Sequence, residues 1–114
     1  MIVDTKAGVP IEPEVLRSYF KRLVNHFFKI LPMRENNEES LITYMQSLQV
    51  ELLGCKSFIS IMETDAEYLT ILAILQYLID NPDCSVTQVK REVFRAISIC
   101  NKLQTKFLSM EVLR

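Results

Sequence analysis

Apolar positions are densest in one stretch, Thr64–Asp80, which reads TDAEYLTILAILQYLID. Tyr68, Leu69, Ile71, Leu72, Ile74, Leu75, Tyr77, Leu78 and Ile79 cover almost the whole circumference of a helix. A surface helix needs only one apolar stripe. Thr64 and Glu67 stand at capping-box spacing, acidic residues favour the positive end of the helix dipole, and Asn81-Pro82 stops the run. Such a helix has to be enclosed by others.

The rest of the chain supplies three. Residues 1–12 form a non-helical arm, interrupted by Gly8 and Pro10, before Pro13 opens the first helix. Leu16, Tyr19, Phe20, Leu23, Val24, Phe27, Phe28 and Leu31 then recur at three- and four-residue steps, which predicts a helix over Pro13–Leu31 ended by Pro32. Asn36 with Glu39 reads as the N-cap of a second helix. Its seam is Leu41, Met45, Leu48, Leu52, Cys55, Ile59 and Met62, and it favours one continuous helix through Gly54 over a break at that glycine. A fourth helix starts at Ser85, with Gln88 closing a capping box and Cys84 and Val89 in staple positions. Its apolar face is Val86, Val89, Val93, Ile97, Cys100, Leu103, Phe107 and Met110.

These elements predict an all-α fold: an antiparallel, up-down four-helix bundle spanning residues 13–114 as one domain, with the short N-terminal arm before it. The chain has 114 residues, two glycines and 49% apolar residues. That apolar share is high for a domain that can bury only part of its surface. The second stripe of the third helix therefore asks for cover from a symmetric copy. The expected contact residues are Leu69, Leu72 and Tyr77, with Leu48 and Leu52 of the second helix.

Charge is uneven. Residues 13–31 carry a net +3 and residues 86–114 a net +4, whereas residues 32–85 carry −7. Arg17/Lys21, Arg91/Arg95 and Lys102/Lys106 are like-charge pairs four apart, each worth a few tenths of a kcal/mol against the helix. With the first and last helices side by side, Arg17, Lys21, Arg22, Arg91, Arg95, Lys102 and Lys106 would form a basic face able to follow a nucleic-acid backbone. The competing explanation is internal matching, with Asp65 and Glu67 meeting Lys102 and Lys106. A sequence pI near 5.8 supports the latter.

Signatures of catalysis are missing. The single histidine, His26, falls on the polar side of its helix and is expected to be solvated. Two isolated glycines cannot build a phosphate loop, and the Glu-x-x-His motif of di-iron bundles is absent. Three cysteines without a C-x-x-C pair argue against zinc and against a disulfide framework. Cys55 and Cys100 read as small core hydrophobes and Cys84 as part of the staple. Residues 71–93 have the cadence of a helix-turn-helix, but the last helix continues too far for a DNA reader of that type. A core ligand site lined by Phe20, Phe27, Tyr68 and Tyr77 would lack a convergent polar group. The longest apolar run, Tyr68–Ile79, is about half of the ~20 residues a bilayer requires. The expectation is a cytoplasmic, non-enzymatic interaction or adaptor protein, homodimeric or larger, with a protein partner. It has no cofactor or metal, and accessory nucleic-acid binding is the alternative.

Overall fold

A proline at the head of the first helix, Asp65 before the third and Ser85 before the fourth set where those helices begin. The computed structural model describes residues 12–58 and 65–112. It contains α1 (Pro13–Glu35), α2 (Leu41–Phe58), α3 (Ala66–Asp80) and α4 (Val86–Val112), with no strand among the described residues. The expected arm, the end of the α2 seam at Ile59 and Met62, and the Thr64 cap lie outside the described residues, as do the side chains of Phe107 and Met110.

The all-α four-helix bundle is present. Each helix packs on its neighbours in the chain, and α1 also packs on α4, the most extensive pair. Phe20, Leu23 and Phe27 of α1, Leu48 and Leu52 of α2, Tyr68, Ile71 and Leu75 of α3, and Val93, Cys100 and Leu103 of α4 meet in one buried core. At one end the rings of Phe20 and Tyr68 stand edge to face at 6.0 Å. The Tyr68 hydroxyl there donates to the Leu52 carbonyl at 2.5 Å. At the other end Ile30, Leu41, Met45, Leu78, Pro82 and Val89 surround a cavity of about 30 Å³.

Three boundaries differ from expectation. Helix α1 passes through Pro32 and ends at Glu35. Pro32 is exposed, so water can take the carbonyl its missing N–H would have engaged. The extra turn is closed from beyond. Asn37 takes a left-handed φ of 50°. Its N–H reaches the Arg34 carbonyl at 3.1 Å, and the Glu38 N–H reaches that of Met33 at 3.0 Å. This is a Schellman cap, so Asn36 closes α1 and does not open α2. Arg34 ties the turn down by donating to the Cys84 carbonyl at 3.0 Å.

At α3 the cap is Asp65, whose carboxylate accepts from the Tyr68 N–H at 2.9 Å. At α4 the Ser85 hydroxyl accepts from the Gln88 N–H at 3.1 Å. The Gln88 side chain points onward to Glu92 and leaves the box half made. Helix α2 runs unbroken through Gly54, where an added Cβ would meet open space.

Candidate functional site

Three surfaces carry features that the core does not use. The first is the flank shared by α2 and α3. The side chains of Gln49 and Gln76 hydrogen-bond across the two helices. One turn on from Gln49 comes Leu53, and one and two turns back from Gln76 come Leu72 and Leu69. Leu53 is 45% exposed and Leu69 39%, while Leu72 is half-buried. Val50, one turn before Leu53 on α2, is 69% exposed.

Of the expected contact residues, Leu69 and Leu72 therefore lie on this flank. Leu48 and Leu52 do not. They are buried in the chain's own core, because the α2 seam faces inward and the exposed side of α2 is the line of Val50 and Leu53. Tyr77 is exposed but belongs to the opposite side of α3, against α4.

The second surface is that α3–α4 side. Thr70, Ala73, Ile74 and Tyr77 face Gln88, Arg91, Glu92 and Arg95 across an open cleft of about 330 Å³. Glu92 is the one buried charged residue among the described residues. Its carboxylate accepts from Gln88 Nε2 at 3.3 Å and from Arg95 at 3.4 Å, with Arg91 Nε at 4.0 Å. The two guanidinium side chains are 74% and 58% exposed. One carboxylate is thus shared loosely by two cations.

Positions 91, 95, 102 and 106 step by four and seven and form one line along α4. Arg91 and Arg95 line the cleft against α3, and Lys106 pairs with Asp65 and with Glu67 at 3.9 Å. The line therefore borders α3. The α1 side of α4 is marked instead by Phe94, edge to face with Phe28 at 6.0 Å. Arg17 is half-buried on α1, while Lys21, Arg22 and Lys102 are exposed. The single face expected from α1 and α4 is divided, and the Lys106 end is matched internally. Asp65 feels both influences. Burial alone would raise its carboxyl, but Lys106 and the Tyr68 N–H outweigh that and hold it below the usual carboxylate range.

The third feature is a polar pair between α1 and α2. His26 is half-buried, not solvated, and its Nδ1 lies 3.0 Å from the Tyr44 hydroxyl. The same hydroxyl lies 3.2 Å from the His26 carbonyl, so it bridges the ring and the backbone of one residue. The contact sits on the side facing α2 and was invisible in a helix-wheel count of α1 alone.

Cys100 is fully buried, and burial pushes its thiol up to about 12. Burial likewise raises the Cys55 thiol. Neither has the electropositive setting that activates a thiolate. Among the described residues no group of three or more His, Cys, Asp or Glu could hold a metal ion, and no helix is long and apolar enough to cross a membrane. Compared with known proteins, the chain matches no family model, no curated protein and no solved structure.

Proposed function

We propose that this chain is a non-enzymatic helical adaptor that works in the cytoplasm as a homo-oligomer, using the α2–α3 flank to meet a second copy. The observation that carries the reading is the row of Val50, Leu53 and Leu69, apolar and open beside a complete core. Single exposed apolar residues are ordinary, but a row held in register on two adjacent helices is a surface a partner can dry. The reading keeps the up-down, antiparallel helix order. The contacts of Phe20 with Tyr68 and of Lys106 with Asp65 at one end, and of Arg34 with Cys84 at the other, support it.

Sedimentation velocity at micromolar concentration tests it. The wild-type chain sediments as a dimer or larger species, and Leu53→Glu with Leu69→Glu returns a helical monomer. A compact wild-type monomer across the range removes the proposal. Accessory nucleic-acid binding is the second reading, and the exposure of Arg91 and Arg95 favours it. It requires salt-sensitive retention on heparin that charge reversal at those two residues abolishes.

A further inference from the structure

The α3–α4 cleft brings together Tyr77, Arg91 and Arg95, exposed groups that neither core packing nor the α2–α3 flank uses. Two arginines four apart on one helix repel each other by a few tenths of a kcal/mol when nothing bridges them. Here the bridging group is Glu92, but it lies 3.4 Å from Arg95 and 4.0 Å from Arg91, longer than the ~2.7–2.9 Å of a tight charge-assisted bond. A single carboxylate neutralises one cation, so the cleft keeps one positive charge in excess. The guanidinium is a planar fork suited to two oxygens of one anion, and both side chains are mostly exposed and able to turn toward it.

Across from the arginines, Tyr77, 38% exposed, lines the cleft beside Ile74 and Ala73. The cleft volume of about 330 Å³ sits at the lower end of the range for small-ligand sites, roughly 300–1,000 Å³. An apolar floor, an aromatic wall and a forked cationic rim together suit a flat ring joined to a phosphoryl group. A ring stacks on tyrosine whatever its hydrogen-bonding edge, which makes such a site tolerant of base identity.

We infer that the α3–α4 cleft is a nucleotide-phosphate site, in which Arg91 and Arg95 hold the phosphoryl oxygens and Tyr77 stacks the base. Glu92 acts against the ligand. It competes for both guanidinium groups and so holds the affinity low. The source of the phosphate is a free mononucleotide or a single strand passing along the α4 line toward Lys102. This site is independent of the α2–α3 flank, and its loss would leave the adaptor reading in place.

The test is an NMR titration of the full chain with AMP, adenosine and inorganic phosphate, followed on backbone amides. AMP produces saturating shifts centred on Thr70, Tyr77, Arg91 and Arg95, and adenosine binds at least about tenfold more weakly, or about 1.4 kcal/mol. Arg95→Gln weakens AMP about tenfold or more, a loss comparable to a charge-assisted hydrogen bond. Tyr77→Ala weakens AMP but not inorganic phosphate. Glu92→Gln moves the other way and tightens AMP several-fold, a sign that misfolding does not reproduce, while the Tyr77→Ala loss, confined to AMP, is the one that diffuse charge attraction does not reproduce. Thermal melts confirm that each variant folds. Tighter binding of a short oligothymidylate than of dTMP assigns the phosphate to a strand, and equal binding assigns it to a free nucleotide; both uphold the site. Absence of saturable shifts up to about 10 mM AMP, tenfold above a ~1 mM dissociation constant, overturns the inference. So does a response that Arg95→Gln and Glu92→Gln leave unchanged.

Discussion

Asp65 does two jobs at once, and replacing it separates them. Its carboxylate caps α3 through the Tyr68 N–H and pairs with Lys106 of α4, while its side chain is only 9% exposed. Alanine removes both roles. Loss of an N-cap costs about 1 kcal/mol. The ion pair, whose lysine is 41% exposed, adds about 0.2–1 kcal/mol at most. Asp65→Ala should therefore destabilise the fold by about 1.5 kcal/mol, a fall of roughly 5–10 °C in Tm for a domain of this size. Asparagine keeps the capping acceptor and drops the charge, so Asp65→Asn should cost about a third as much. Urea unfolding followed by far-UV circular dichroism, at one fixed protein concentration, measures both.

The pH dependence gives the stronger check. The folded carboxyl sits below its ordinary value. Its contribution is present above the unfolded pKa of about 3.9 and is lost as pH falls through the lower folded value. The stability gap between wild type and Asp65→Ala should therefore narrow on acidification below about pH 4, whereas the gap between the asparagine and alanine variants should not. An alanine variant within about 0.3 kcal/mol of wild type, less than the smallest cap loss in the usual range, would refute the reasoning. A gap that widens in acid would do the same.

Tyr68→Phe should cost about 1 kcal/mol at neutral pH through the lost bond to the Leu52 carbonyl. Burial raises the Tyr68 hydroxyl above 10, so its neutral form is favoured when folded, and that advantage fades as pH climbs past the unfolded value of about 10. The variant should accordingly lose less stability than wild type between neutral and strongly alkaline pH in denaturant titrations. Gly54→Ala should raise stability by about 0.5–1 kcal/mol, because the position is helical and a methyl group there meets nothing. Cys100 should react with a thiol reagent at pH 8 only as fast as the chain unfolds, since its thiol is fully buried and titrates near 12. Mass spectrometry after pulsed alkylation reports it.

Periodicity carried most of the fold. The stripes of Leu16 to Phe27, Met45 to Leu52 and Val89 to Leu103 point inward as their spacing implies. What spacing could not give were choices decided by tertiary partners. Pro32 looks like a stop until Arg34 reaches across to Cys84 and Asn37 closes the turn. Asn36 with Glu39 fits a cap pattern, but the Schellman closure of α1 claims Asn36 first, with Asn37 and Glu38. The candidate site was legible only in pieces. The Arg91/Arg95 conflict stood out in the sequence, yet their neighbour could not be known until α4 was seen to turn that line toward α3. The interface expectation placed Leu48 and Leu52 outside, because a heptad seam looks the same whether its partner is the same chain or another.

The broadest helix contact in the molecule joins the first helix to the last. For an all-helical chain this makes the key meeting a distant one, and closing so long a loop slows assembly compared with neighbour-to-neighbour docking. During synthesis the oily stripe of α1 emerges early and waits, uncovered, for Val93 and Leu103 to leave the ribosome. A nascent chain stalled before those residues would be expected to cling to chaperones, and release into a protease-resistant form should coincide with the appearance of α4.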